Sequence, residues 1–156
     1  MSKNARSVPT REQLRVWRGY VETSEAIRAR LTGRLQTDSD LSSGDYQVLL
    51  ALNEADGQTL RSSELAEQIG WERSRLSHHL GRMEKRQLLT RKSCADVAHG
   101  VDVILTDTGT DAFRRGSLPH LRAIRELFID AFTPTQIEQM DELTVALRTH
   151  LDLDPL

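Results

Sequence analysis

The sequence predicts a mainly α-helical protein with a small β-hairpin, in which a winged helix-turn-helix lobe joins a helical dimerisation lobe formed by the N- and C-terminal helices. Three observations predict this fold. Residues 59–92 have the apolar spacing of two short helices joined by a tight turn, and residues 90–105 have the pattern of a hairpin. Apolar stripes near both ends of the chain have no local surface to cover them.

The first helix is predicted over residues 10–36, after an N-terminal arm at residues 1–8. Thr10 and Gln13 have the spacing of a capping box, in which each side chain bonds the other residue's backbone N–H. From Leu14 to Leu35, apolar residues recur at intervals of three and four. A helix of this length cannot bury such a stripe locally, so we expect it to pack on distant segments or on a partner chain.

Three short helices are predicted in the middle of the chain. Ser42 and Asp45 indicate the start of the first, which covers 46–55 and ends at Asp56-Gly57. Gly70 lies between the other two, where a chain leaving a helix often needs a left-handed residue. The predicted inward faces carry Leu65, Ala66 and Ile69 in one helix, and Leu76, Leu80 and Met83 in the recognition helix at 73–87.

A wing is predicted directly after this helix-turn-helix. Residues 90–93 and 101–105 have the composition of strands, and residues 94–100 form the loop between them.

Two further helices follow the wing. One begins at Thr106, and Pro119 predicts a kink or break near 116–118, because proline removes a backbone donor and clashes with the preceding turn. Thr133, with Pro134 and Gln136, marks the start of the other. The chain is predicted to be a single domain over 1–156, with dimerisation helices at 10–36 and 107–151 and the winged helix-turn-helix lobe at 41–106.

The composition narrows the class of protein. The 156 residues are 38% hydrophobic and only 4% aromatic, which fits either many short amphipathic helices that share surfaces or burial against a second subunit. No apolar run approaches the ~20 residues that span a bilayer, and the N-terminus lacks a signal peptide's apolar segment, which predicts a cytoplasmic protein without membrane contact. One cysteine and no metal-ligand spacing predict no disulfide, metal or cofactor. No catalytic motif is present, so we expect no enzyme.

Charge separates the middle of the chain from its end. Residues 61–92 contain eight basic and four acidic residues, a net charge of +4 in a chain of −2. On the recognition helix, the face opposite the apolar residues is predicted to expose hydrogen-bond donors, which suits guanine edges and phosphates in a major groove. The alternative is an ordinary solvated helix face. The predicted face carries Ser74, Arg75, His78, Gly81, Arg82 and Lys85, flanked by Ser77, His79 and Arg86.

The C-terminal segment has the opposite character. From Glu126 onward it contains seven acids and one arginine, a net charge of −6 that argues against a DNA surface there. The simplest architecture uses the ends of the chain to dimerise and the middle to bind double-stranded DNA. A two-fold homodimer would present two recognition helices roughly 34 Å apart to a near-palindromic operator.

The segment RSSELAEQIGWERSRLSHHLGRMEKRQLLTR, followed by a hairpin ending in VILTDTG, resembles the MarR (multiple antibiotic resistance regulator) winged-helix transcription factors. The resemblance covers nearly the whole chain and implies a homodimer with its recognition helices in major grooves and its wings at flanking minor grooves. It also implies repression of nearby genes that is relieved by a small aromatic or lipophilic ligand, or by thiol oxidation.

Three positions depart from the family pattern. At the wing tip, His99 stands where the family commonly has arginine, and near neutral pH histidine is a weaker cation. Gln87 follows the recognition helix where glycine is usual. Gly81 lies on the predicted outward face, where a glycine inside a helix costs ~1 kcal/mol relative to alanine.

Twelve residues are candidate DNA contacts. Arg75 and Arg82 are the best candidates for guanine, with His78 and Ser74 as secondary readers. Arg73, Arg86, Arg91 and Lys92 are expected to contact phosphates, which position the protein without specifying sequence. The set is completed by Ser62, Ser77, His79 and His99.

Two further features bear on regulation. Trp17, Tyr20 and His120 are candidates for an effector site at the junction of the lobes, although an aromatic residue at helical spacing is more often core. Cys94 lies at the start of the wing near Arg91 and Lys92, which could lower the pKa of its thiol. The alternatives are therefore a redox-responsive regulator acting through Cys94, and a helical dimer that docks a protein partner without DNA.

Overall fold

The computed structural model describes residues 8–94 and 100–154 and has the predicted mainly α-helical fold with a small antiparallel sheet. The described helices are α1 (Arg11–Ser39), α2 (Ser43–Glu54), α3 (Ser62–Ile69), α4 (Arg73–Lys85), α5 (Asp107–Leu127) and α6 (Pro134–His150). The strands are β1 (Thr59–Arg61), β2 (Leu89–Ser93) and β3 (Val101–Leu105), and short 3-10 turns cover Asp56–Gln58 and Ile129–Ala131.

The chain divides into two compact units. We call residues 32–123 the central unit, and the residues up to Leu31 with those from Ile124 onward the end unit. The central unit contains α2, α3, α4 and the sheet, together with the adjoining parts of α1 and α5.

The core of the central unit is built from the apolar faces that the spacing predicts. Leucines from α2, α3 and α4 pack together, and β2 and β3 close the core from the sheet side. Full burial of one such side chain stabilises the fold by roughly 1.5–3 kcal/mol. The largest fully buried residues are Leu41, Val48, Leu49, Leu52, Leu65, Leu76, Leu80, Met83, Leu89 and Val103.

The three predicted capping boxes are present. The Thr10 hydroxyl accepts from the Gln13 N–H at 3.2 Å, while the Gln13 amide oxygen accepts from the Thr10 N–H at 2.9 Å. The same reciprocal pairs form between Ser42 and Asp45 and between Thr133 and Gln136. The cap satisfies backbone donors that a helix start leaves unpaired, so each helix begins directly after its capping residue. Helix α2 consequently begins at Ser43, earlier than the predicted start at 46. At its other end α1 continues to Ser39, beyond the predicted end at 36.

The sheet has three strands in the order β1-β3-β2, all antiparallel. The predicted hairpin pairs Thr90 with Ile104 and Lys92 with Asp102. Strand β1, which the sequence analysis did not predict, pairs Leu60 with Val103 on the other side of β3. Three residues are too few to show an alternation of apolar and polar side chains.

The junction between the wing and α5 depends on a close backbone approach. The Thr106 hydroxyl accepts from the Gly109 N–H at 3.0 Å and donates to the Gln87 carbonyl at 2.6 Å. A Cβ at Gly109 would overlap the carbonyl oxygen of Leu88. Only glycine therefore allows α5 to start against the end of α4, which gives a physical reason for the LTDTG sequence.

Helix α5 is continuous from Asp107 to Leu127, so Pro119 does not break it near 116–118, and the alternative of a kink stays a prediction. Pro119 lies inside it and leaves the carbonyl one turn earlier without its usual partner. The Ser117 hydroxyl donates to the Phe113 carbonyl at 2.7 Å within the same segment. None of the helices in the described ranges is long and apolar enough to cross a membrane.

The end unit has no buried residue among its described positions. Large apolar side chains that would form a core elsewhere are exposed on α1 and α6. A unit of this size without a buried side chain has an unpartnered apolar surface. The exposed residues include Leu14, Val16, Trp17, Tyr20, Leu143, Val145 and Leu147.

Candidate nucleic-acid interface

The turn between α3 and α4 is fixed by Gly70. Its φ of 68° is left-handed, and the Trp71 N–H donates to the Ala66 carbonyl at 2.8 Å while the Gly70 N–H donates to that of Glu67 at 3.1 Å. This is a Schellman ending, which satisfies the last carbonyls of α3 and turns the chain sharply. Helix α4 consequently packs Leu76, Leu80 and Met83 inward and turns its opposite face to solvent.

The outward face of α4 carries exposed donors, as predicted. Glu84 is the one acidic residue in this helix, and it lies at the end nearest the wing. The exposed candidate residues on α4 are Arg73, Ser74, Arg75, Ser77, His78 and Arg82.

Arg75 is supported by an aromatic ring. Its guanidinium carbon lies 4.0 Å from the centroid of the Trp71 ring, a cation–π contact with a residue that precedes α4. The side chain remains exposed, so its N–H groups are available to a ligand. Trp71 was not among the predicted site residues, and an aromatic residue four positions before an arginine was the available signal.

His79 was expected on the flank of the outward face, and that expectation is wrong. The residue is only 8% exposed, because it lies three positions after Leu76 and four before Met83 and so shares their inward face. Its ring packs edge-on against Trp71 with centroids 5.1 Å apart. Its Nδ1 is 2.8 Å from Nη2 of Arg82, and its Nε2 is 2.9 Å from Oδ1 of Asp45 but out of line for a directed hydrogen bond.

The carboxylate of Asp45, in the first turn of α2, contacts several cationic and hydrogen-bond-donating groups. It is buried, and its Oδ2 accepts from the Ser42 N–H at 2.9 Å and from Nη1 of Arg86 at 2.7 Å. Burial by itself would raise the pKa of this carboxyl. The contacts with His79, Ser42 and Arg86 together outweigh that effect and hold the pKa of Asp45 far below its usual range.

Two predicted phosphate contacts are engaged inside the protein. Arg86 bonds Asp45 and also donates to the Asp40 carbonyl at 2.7 Å. Arg91 fastens β2 to α4, because its backbone N–H and its guanidinium donate to the Glu84 carboxylate at 2.9, 3.0 and 2.8 Å. These bonds lower the pKa of Glu84, which keeps it ionised.

The remaining candidates differ in position. Lys92 is exposed on β2, and Ser62 is half-buried at the first position of α3. Cys94 is half-buried after β2, and its N–H donates to the Gly100 carbonyl at 2.9 Å. His99 lies outside the described residues, so its predicted wing contact stays a prediction.

The structure describes the surroundings of two of the three residues that depart from the family pattern. Gln87 has a φ of 60°, so a non-glycine residue occupies a left-handed position where glycine is favoured. At Gly81 the nearest atom to an added Cβ would be Nη2 of Arg91, at an ordinary contact distance of 3.6 Å. Gly81 is therefore not required by any close packing among the described residues.

The effector candidates fall in different units. Trp17 and Tyr20 belong to the end unit, where both are exposed and their ring centroids are 6.5 Å apart. His120 belongs to the central unit, where it packs on Tyr46 with centroids 4.6 Å apart, and its burial lowers the pKa of the imidazole.

The end unit also has a groove that the sequence analysis missed. It has a volume of about 460 Å³ and lies between α1 and the segment that joins α5 to α6. Phe128 and Phe132 pack edge to face on its wall, and Ile27 and Arg30 approach from α1. Two aromatic residues four apart, outside a regular helix, were the available signal.

Comparisons with known proteins agree with this geometry. The model of the MarR family matches residues 39–98. Two MarR family transcriptional regulators from Streptomyces coelicolor have similar structures. Sco3205, solved in complex with DNA, is 33% identical with a TM-score of 0.86, and the match covers 95% of this chain and 92% of Sco3205. AbsC is 30% identical with a TM-score of 0.85, and the match covers 93% and 97%.

A more distant regulator shares only the fold. The organohalide-sensing regulator RdhR-CbdbA1625, in its 2,4-dichlorophenol-bound form, is 22% identical with a TM-score of 0.77 over 96% of this chain and 86% of its own. No curated protein sequence matches the chain.

Proposed function

Because the chain belongs to the MarR family of transcriptional regulators, we propose that it is a homodimeric, sequence-specific repressor whose α4 enters the major groove of a near-palindromic operator. The observation that supports this proposal is the exposure of Arg75 and Arg82 on the outward face of α4. Arginine can donate two parallel hydrogen bonds to O6 and N7 of guanine, which discriminates against other bases by roughly 1–3 kcal/mol per contact.

Phosphate contacts are assigned to the exposed residues around this face. Arg73 precedes the base-reading positions at the start of α4, and Lys92 stands on β2 beyond its end. Such contacts set the register of a protein on the duplex and make affinity depend on salt. Arg86 and Arg91 have a different role in this proposal, since they orient Asp45 and Glu84 within the protein.

Dimerisation is supported by the exposed apolar surface of the end unit. With no buried residue among the described positions, α1 and α6 leave large side chains such as Trp17 and Leu143 in contact with water. A second copy of the chain, related by a two-fold axis, would cover this surface with its own equivalent. Two recognition helices would then face half-sites roughly 34 Å apart.

An aromatic effector is supported by the groove in the end unit. Phe128, Phe132 and Ile27 offer apolar contact area, and Arg30 offers a cation at the rim for a phenolate or carboxylate. The organohalide-sensing regulator RdhR-CbdbA1625, which has the same fold, has been solved with bound 2,4-dichlorophenol. We propose that a small aromatic molecule binds in the end unit and relieves repression.

In vitro selection from random double-stranded DNA tests the proposed sequence-specific DNA binding. The full chain should enrich a near-palindromic site, and affinity for that site should fall steeply between 50 and 200 mM salt, as expected for several phosphate contacts. Arg75→Ala should lower affinity and relax the preference at one base pair in each half-site. Lys92→Ala is the matched control, because it should weaken all sequences equally. Equal binding by wild type and Arg75→Ala to the selected site would contradict the assignment of Arg75.

The effector is tested separately. Fluorescence should change when chlorinated phenols are titrated into the protein, and the Trp17→Phe variant shows how much of that signal comes from α1. The same compound should release DNA from wild type and act weakly on Phe128→Ala. If the protein binds DNA but responds to no compound in a broad panel, the proposed effector is contradicted and the proposed DNA binding is not.

A further inference from the structure

Arg75 and Arg82 are linked by a chain of side-chain contacts through Trp71 and His79, which we call the support. Arg75 lies over the Trp71 ring, the edge of Trp71 meets His79, and Nδ1 of His79 meets Arg82. The two arginines are seven positions apart on α4, with His79 between them. The order Arg75, Trp71, His79, Arg82 places two side chains that are not candidate base contacts directly behind two that are.

This support is anchored to α2. A Cβ at Gly44 would lie 2.7 Å from Cη2 of Trp71 and 2.9 Å from Cε1 of His79, so both rings rest directly on the first turn of that helix. Asp45, the next residue, faces Nε2 of His79 at 2.9 Å. The rings are therefore held by a second element and do not depend on α4 alone.

The hydrogen-bonding role of Nδ1 in His79 follows from its neighbour Arg82. A guanidinium only donates, so Nδ1 at 2.8 Å from Nη2 of Arg82 must accept. A neutral imidazole that accepts at Nδ1 carries its proton on Nε2, which faces the carboxylate of Asp45. This contact occupies one of the five N–H donors of Arg82 and leaves enough for a bidentate contact with a base.

We propose that Trp71 and His79 are positioning residues that hold the guanidinium groups of Arg75 and Arg82 ready for base recognition. The proposal rests on the proposed function, and it assigns sequence specificity to two side chains that need not touch DNA. A free arginine loses much of its rotational freedom when it binds a base. Support behind the guanidinium reduces that loss, so each support should contribute roughly three- to tenfold to discrimination at its own base pair.

His79 allows a matched pair of substitutions. In His79→Asn the side-chain oxygen can take the place of Nδ1, which keeps an acceptor for Arg82 and gives up the contact with Asp45. In His79→Gln the amide can still face Asp45, but no acceptor remains at the Nδ1 position. We expect His79→Asn to retain most of the discrimination at the base pair read by Arg82, and His79→Gln to lose roughly three- to tenfold of it.

A double-mutant cycle separates positioning from general stability. Affinities are measured for the selected operator and for the operator changed at one base pair, with His79→Gln in the wild-type background and in Arg82→Ala. If His79 acts through Arg82, then His79→Gln should change discrimination by less than about twofold once Arg82 is absent. A loss of the same size in both backgrounds would overturn the proposal, because it would show that His79 acts elsewhere.

Trp71 provides a second test if the histidine variants unfold. Trp71→Leu should lower discrimination at the base pair read by Arg75, and this loss should disappear in the Arg75→Ala background. Thermal unfolding of each variant shows whether it is folded at the assay temperature. Unchanged discrimination in a folded Trp71→Leu variant would refute the role of Trp71. Failure of the wild type to select any DNA would instead refute the proposed function.

Discussion

The left-handed residue after α4 leads to a prediction about stability. Gln87 has a φ of 60°, and its N–H donates to the Glu84 carbonyl at 2.9 Å while that of Leu88 donates to the Met83 carbonyl at 3.1 Å. These bonds form a Schellman ending, in which the left-handed position is usually glycine. The Gln87 side chain is exposed, so replacing it with glycine removes strain without leaving a cavity.

The size of the effect follows from two opposing terms. A residue with a Cβ in the left-handed region costs roughly 1–2 kcal/mol. Replacing glutamine with glycine would remove this cost, but glycine loses more backbone freedom on folding, which destabilises the variant by roughly 0.5–1 kcal/mol. The bond from the Thr106 hydroxyl to the carbonyl of residue 87 involves only the backbone there and should persist. We therefore expect Gln87→Gly to stabilise the folded chain by roughly 0.5–1 kcal/mol.

Urea denaturation at a fixed protein concentration measures this difference. With a slope of roughly 1–3 kcal/mol per molar urea, the midpoint should rise by a few tenths molar while the slope stays constant. Gln87→Ala is the control, since it shortens the side chain but keeps the Cβ, and it should not stabilise. If Gln87→Ala raised the midpoint as much as Gln87→Gly, backbone strain at this position would not be the cause.

Four other outcomes follow from the central unit. Asp45→Asn should cost roughly 1–3 kcal/mol. Because the folded-state pKa of Asp45 is lowered, the ionised carboxylate contributes its full stability above the ordinary carboxyl pKa and loses it progressively as the pH falls further. In urea titrations, the free energies of unfolding of wild type and variant should therefore begin to converge below about pH 4. Gly109→Ala should destabilise strongly, by about 3 kcal/mol or more, because its Cβ meets the Leu88 backbone and not a movable side chain, and thermal unfolding measures the loss. Lys92→Ala should reduce the slope of log affinity against log salt by about 0.9 for each of the two subunits on the operator, without changing the preferred sequence. Arg91→Ala should also alter the preferred sequence, because it frees β2 from α4.

Local chemistry explains why much of the fold was predictable. A capping box such as Ser42 with Asp45 needs only residues three apart, and Gly70 marks its turn without reference to the rest of the chain. The spacing of Leu76, Leu80 and Met83 gave the inward face of α4 correctly. Because the inward face fixes the opposite face of the helix, the exposure of Arg75 and Arg82 could also be predicted.

The errors concern contacts between residues that are distant in sequence. Asp45 and Arg86 are 41 positions apart, and no periodicity relates them. His79 is polar, so it was placed outward, but the inward face of α4 is wide enough to include it and Asp45 faces it there. Strand β1 forms because β3 offers a free edge, and neither its three residues nor their neighbours contain that information.

The pair formed by Glu84 and Arg91 shows how an arginine can serve nucleic-acid binding without approaching it. Glu84 is the only carboxylate on α4, and an ionised carboxylate there would repel a polyanion over a distance of about one Debye length, roughly 8 Å at physiological salt. By donating three hydrogen bonds to it, Arg91 shields that charge and leaves the helix positive along its length. Removing this arginine would uncover a negative charge as well as delete a positive one, and the surface potential that DNA meets would change by more than a single residue suggests.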